Sequence, residues 1–107
     1  MGYVYLVLEV DDKGSESHKI GSTKNDPLTR LKQLKTGNSN QVSIIKFYES
    51  DNYQRIERLL HKKYISKQTL ASNEWFNLSD EDVLNFLKEC KKLDNILDSL
   101  SENHFLN

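Results

Sequence analysis

Three observations predict an α+β fold in which a small three-stranded antiparallel sheet is flanked by helices. An alternating apolar run opens the chain at 3–10, helical periodicity with end signals follows over 27–36 and from about 51 to 64, and a long helical apolar stripe closes it. The resulting order is β-β-α-β-α, then a short strand and a C-terminal helix.

Residues 3–10 (Tyr-Val-Tyr-Leu-Val-Leu-Glu-Val) are rich in aromatic and β-branched types, as strands are. Period two places Val4, Leu6, Leu8 and Val10 on one face, the expected core side. Tyr3, Tyr5 and Val7 take the other, where two phenols are expected to meet a wetter surface. The turn cluster Asp11-Asp12-Lys13-Gly14-Ser15 and a return strand over 18–23 complete a hairpin. Asp26 then offers an N-cap and Pro27 the first helical position. Leu28, Leu31 and Leu34 recur at helical spacing with Arg30 off their stripe, and Gly37 provides a stop. A third strand is predicted at 42–49. Asp51 or Asn52 caps a second helix reaching about Tyr64, with Ile56, Leu59, Leu60 and Tyr64 as its apolar stripe. Glu57 and His61 stand one turn apart beside that stripe. After a short extended stretch at 74–78, Ser79–Asp82 forms a capping box. It opens one helix carrying Val83, Leu84, Phe86, Leu87, Cys90, Leu93, Ile96, Leu97 and Leu100. Residues 1–100 read as a single domain and 101–107 as a fraying tail.

The chain has 107 residues, 36% hydrophobic and 29% charged, and no run approaches the roughly 20 apolar residues of a membrane span. The start enters a strand without a targeting signature, and the one cysteine excludes an internal disulfide, so a cytoplasmic or nuclear setting is expected. The net charge of −1 hides an asymmetry: residues 1–68 carry +4, residues 69–107 carry −5, and the stretch 18–67 carries +7. A basic working half with an acidic closing segment suits a polyanionic partner.

Within this order, Tyr5, Lys19, Arg30 and Glu57 bring together a phenol, an ammonium, a guanidinium and a carboxylate. Phosphodiester hydrolysis needs an activated water, stabilisation of developing charge and help for the leaving oxygen, which these groups can supply from one surface. A lone carboxylate suits Mg2+ or Mn2+, whose other sites are filled by water and phosphate oxygens. Arg30 has a fork fitted to bidentate phosphate contact.

The ordered set Tyr3-Val4-Tyr5, Lys19-Ile20-Gly21, Arg30, Glu57 and Glu74-Trp75-Phe76 resembles the GIY-YIG nuclease superfamily. It is closest to the bacteriophage and meiotically up-regulated subgroup, whose second motif begins with lysine. The resemblance covers roughly residues 2–78. It implies a GIY-YIG-like fold and a single-metal DNA endonuclease with Tyr5, Lys19, Arg30 and Glu57 in the site and Glu57 as metal ligand. It further implies supporting places for Tyr3, Gly21, His61 and an asparagine, Asn77 or equally Asn73. The histidine that many members carry one turn after the arginine is replaced by Leu34. DNA phosphates would be met by Lys24, Lys32, Lys35, Arg55, Arg58, Lys62 and Lys63, which confers salt dependence without sequence choice. A homodimer is the arrangement that double-strand cleavage would call for. The rival expectation is a catalytically inactive DNA-binding domain of the same fold, and a third is a protein-docking domain using its acidic last helix.

Overall fold

A computed structural model describes residues 1–35, 40–69 and 74–106. The predicted stop Gly37 and the alternative site asparagine Asn73 lie outside the described residues. In chain order the elements are β1 (Gly2–Val10), β2 (Glu16–Thr23), α1 (Pro27–Lys35), β3 (Gln41–Ser50) and α2 (Tyr53–Lys63). A 3-10 turn (Ile65–Lys67), β4 (Trp75–Phe76), α3 (Asp80–Leu84) and α4 (Phe86–Leu106) follow.

The sheet is antiparallel with strand order β3-β1-β2-β4. It has four strands rather than three, because the short stretch at 75–76 pairs with His18 and Lys19 and joins as an edge. The hairpin turn is closed by Asp11, whose Oδ1 accepts from the backbone of Lys13 and Ser15 at 2.9 Å. Gly14 takes the positive φ of 81° that a side chain would resist.

Both faces of the sheet are covered. Val4, Leu6 and Ile20 pack with Tyr53, Ile56 and Leu60 of α2, with Tyr64 and Phe76, and with Phe86, Cys90 and Leu97 of α4. On the opposite face Tyr5, Val7 and Val42 form a smaller cluster under Leu31 and Leu34 of α1 and beside Trp75. The alternation reading of β1 is therefore corrected. Tyr5 and Val7 are buried, whereas Leu8 and Val10, assigned to the core, are half-buried. Helices on both faces make the middle of β1 a continuous buried run, and period two distinguishes the faces only where one is wet.

The larger face carries a polar anchor. Asp94 of α4 accepts from Tyr48 Oη (2.7 Å), Ser50 Oγ (2.7 Å) and Asn52 Nδ2 (2.8 Å), tying α4 to the end of β3 and the start of α2. Burial opposes its ionisation, but the donors from Asn52, Ser50 and Tyr48 outweigh burial and hold the carboxyl below its ordinary range. Asn52 occupies the predicted cap position of α2, yet its side chain reaches Asp94 and Asp98 instead of the helix backbone.

The capping box is present: Ser79 Oγ accepts from Asp82 N–H and Asp82 returns an acceptor to Ser79 N–H. Asp82 also pairs with Lys67 of the 3-10 turn. The single closing helix expected there is two helices. Asn85 ends α3, donating its N–H to Glu81 and Val83 carbonyls, and its own carbonyl accepts from Glu89 in α4. An Asn whose side chain competes for backbone partners is well suited to such a joint. The helical path of α4 then runs to Leu106. Cys90 is fully buried, and burial pushes its thiol up to about 12. Among the described residues no helix is long and apolar enough to cross a membrane.

Candidate nucleic-acid interface at the edge of β2

The segment Lys19–Ser22 of β2 gathers the side chains that the sequence singled out. β4 pairs with this strand only at His18 and Lys19, and the Ile20 N–H donates to the Glu74 carbonyl. Beyond that point, among the described residues, no strand covers the outer side of β2. Four consecutive positions then each engage a different partner.

Lys19 shares the α1 face with Tyr5 and its side chain is only 10% exposed. Its Nζ lies 3.4 Å from Glu74 Oε2. At Ile20 the carbonyl oxygen meets His61 Nε2 at 2.7 Å. An acceptor carbonyl requires the proton on that nitrogen, so His61 donates to the strand, with its ring 5.3 Å from that of Phe76. Gly21 is the direct cross-strand partner of Tyr5, and a methyl group there would overlap the Tyr5 hydroxyl and ring. Ser22 points to the other face and donates its hydroxyl to Glu57 Oε2 at 3.0 Å.

Above Gly21, the Tyr5 hydroxyl accepts from Arg30 Nε at 3.1 Å. That bond, opposed by partial burial, raises the guanidinium pKa above its ordinary value. Arg30 Nη1 also donates to Gln33 Oε1 at 3.0 Å, and the Glu74 carboxylate contributes favourable charge. Arg30 is half-buried, while Tyr5 behind it is 1% exposed. The phenol thus serves as the rest on which the guanidinium is aimed.

Tyr5, Lys19 and Arg30 therefore share the α1 face, and Glu57 reaches the same strand from the α2 face. The four do not share the one surface expected from the sequence: Glu57 stands on the opposite face of the sheet from the other three and is linked to them through the neighbouring residues Gly21 and Ser22. Tyr3 is half-buried beside Phe47, with ring centroids 6.1 Å apart, and its hydrogen bond to Glu49 raises its pKa. Asn77 is exposed, with its backbone N–H bonded to the Lys67 carbonyl. The register carries it past the His18–Phe76 pair, toward the opposite end of β2 from Gly21.

The basic side chains also divide. Lys24, Lys32 and Lys35 are exposed in and before α1. Arg55, Arg58 and Lys62 lie along the outer side of α2, where they line a shallow groove of about 300 Å3 with Leu59 and Leu97. Lys63 turns away to Glu89 of α4 at 2.9 Å and stands over the Tyr64 ring. Two contributors had no assigned role in the sequence. Ser22 adjoins the second motif and falls on the opposite face by alternation. Glu74 opens the Glu-Trp-Phe block, but its pairing with Lys19 depends on the β2–β4 register, which sequence does not carry.

Fold and site together define a small α+β domain with exposed basic side chains on either side of one strand edge. The T5orf172 domain profile matches residues 2–91, and the chain belongs to that family. No curated protein and no solved structure matches it. Membership is compatible with a nuclease-like or DNA-binding role, and the four-stranded sheet flanked by helices is compatible with a small GIY-YIG-like fold.

Proposed function

We propose that this domain hydrolyses phosphodiester bonds in DNA with a single divalent metal ion, in the manner of GIY-YIG nucleases. The observation that carries the reading is the run Lys19–Ser22, along which a lysine at 19, the Tyr5–Arg30 pair over Gly21 and Glu57 on Ser22 are each fixed to one strand. With Lys24, Lys32 and Lys35 on one side and Arg55, Arg58 and Lys62 on the other, DNA straddles the β2 edge and meets cations from both faces.

Arg30 contacts the scissile phosphate with its N–H groups, held in orientation by the Tyr5 hydroxyl. Because Tyr5 accepts from Arg30, its own O–H remains a donor that can orient a water entering beside the guanidinium. Lys19 adds positive charge once a phosphate oxygen replaces the Glu74 carboxylate as its partner. The donor set fits a hard cation that keeps most of its waters. Glu57 supplies one carboxylate, and the described residues contain no cluster of three or more His, Cys, Asp or Glu to form a closed cage. Mg2+ or Mn2+ held there would supply Lewis-acid polarisation of a phosphate oxygen. His61 holds the strand carbonyl of Ile20 one turn from Glu57 and so positions the edge. One site cuts one strand; a break in both strands requires two copies or two encounters.

A second reading, DNA binding without hydrolysis, is favoured by the burial of Tyr5 and the neutralised Lys19. Supercoiled plasmid incubated with Mg2+ or Mn2+ separates the two. Wild type is expected to nick only with metal, and Glu57→Ala to lose nicking while retaining a gel shift. A metal-insensitive shift with no nicking leaves the binding reading, and neither shift nor nicking removes both.

A further inference from the structure

The rung of the sheet that holds Tyr5 has a third member. Phe47 of β3 is the cross-strand partner of Tyr5 on the side away from Gly21. Since Gly21 lacks a Cβ, the Tyr5 ring lies over β2. α1 packs on β3 but leaves Phe47 55% exposed beside it, in a chain of mean hydropathy −0.70. Tyr3 meets Phe47 edge to face at 71°, with Glu49 as its cross-strand partner. Pro27, Leu28 and Leu31 of α1 and Ile44 of β3 complete a cleft of about 360 Å3, which Asp26 also lines. Leu28 is itself 68% exposed.

From these observations we infer that the cleft between Phe47, Tyr3 and α1 seats one unstacked nucleobase of the bound DNA. The inference rests on the DNA reading above and deepens it, adding a base-holding subsite to a phosphate-holding one. The occupant follows from continuity. Phe47 adjoins Tyr5 in the sheet and the Tyr5 hydroxyl holds Arg30, so a strand whose phosphate lies on Arg30 carries its neighbouring base toward the cleft. Aromatic and aliphatic walls accept the face of any base. Asp26 offers acceptors only, one of which already holds the Leu28 N–H, so bases presenting an exocyclic amine are favoured. A paired, stacked base cannot enter. The site therefore selects distorted, bulged or single-stranded positions without reading a long sequence.

The test uses the full chain with Ca2+ replacing Mg2+. One duplex carries 2-aminopurine as a single-nucleotide bulge, and a second carries it paired. Wild type is expected to bind the bulged duplex roughly tenfold more tightly, with a change in 2-aminopurine fluorescence on binding. Phe47→Ala should erase that preference and leave affinity for the paired duplex unchanged. Phe47→Trp should keep the preference, which guards against a merely misfolded alanine variant. Equal affinity of wild type for both duplexes, or a preference that survives Phe47→Ala, overturns the base subsite while leaving the DNA reading intact. Binding of neither duplex overturns both. A concentration-dependent change in sedimentation of the DNA-free protein that Phe47→Ala abolishes would assign the cleft to a second copy and overturn the nucleobase.

Discussion

The two faces of the sheet are built to different ends. Under α2 and α4, aliphatic and aromatic side chains close around Val4, Leu6 and Ile20, and the half-buried carboxylate of Asp94 is satisfied by three donors. Under α1 the cluster is thin, and most of the remaining surface is given to Arg30, Tyr3, Phe47 and exposed lysines. The first face supplies stability. The second is left free to carry charge and an open cleft because stability is provided elsewhere, the usual relation between a scaffold and the site grafted on it. Gly21 and Ser22 join them, one supporting Tyr5 and the other Glu57.

Substitutions on each face should separate accordingly. Phe86→Ala, in the larger core, is expected to cost about 3–5 kcal/mol in urea unfolding and to abolish binding only through unfolding. A cost near that of a surface site would break the distinction. Asp94→Ala should cost about 2–3 kcal/mol, because the Tyr48, Ser50 and Asn52 donors lose their acceptor. The sign of its pH dependence follows from a folded-state pKa below the ordinary aspartate value: the carboxylate stabilises fully above about pH 4 and ceases to do so as acid protonates it. Wild type should therefore lose stability below that point more steeply than Asp94→Asn, measured by thermal melts from pH 5 to 2.5.

Gly21→Ala sharpens the contrast because it strikes the junction. The added methyl must displace Tyr5, costing about 1–3 kcal/mol by overpacking. The same displacement takes away the rest for Arg30, so DNA affinity and nicking should fall further than stability does. Arg30→Met is the mildest for folding, within about 0.5 kcal/mol. It should still weaken DNA binding by about tenfold, since a charge-assisted phosphate contact is lost. Equal affinity of Arg30→Met and wild type by fluorescence anisotropy would detach α1 from the interface.

Much of this arrangement was legible in the chain. Asp26-Pro27, the pair Asp51 and Asn52, and the Ser79–Asp82 box marked three helix starts that the structure places within about a residue. The β1–β2 hairpin followed from alternation and turn chemistry. Alternation failed at Tyr5 and Val7, because a strand covered on both sides has no wet face to reveal. The break at Asn85 was hidden by an apolar stripe that runs through it. Lys19–Glu74 and the Asp94 anchor join residues 55 and more than 40 positions apart, and such pairings belong to topology, not to any local pattern. For the site, the residue types and their order were readable. That Glu57 approaches β2 from the face opposite Arg30 was not, since helix periodicity says which side of α2 is apolar but not which side of the sheet it covers.

Cys90 gives the domain an internal clock. Its sulfur sits fully inside the larger core, and burial raises its pKa to about 12, so in the closed state it presents almost no thiolate to an alkylating reagent. Labelling must wait until α4 lifts from α2 and the sheet. The rate at which the native protein is modified by iodoacetamide then counts those openings, with a single chemical event per molecule and no probe added.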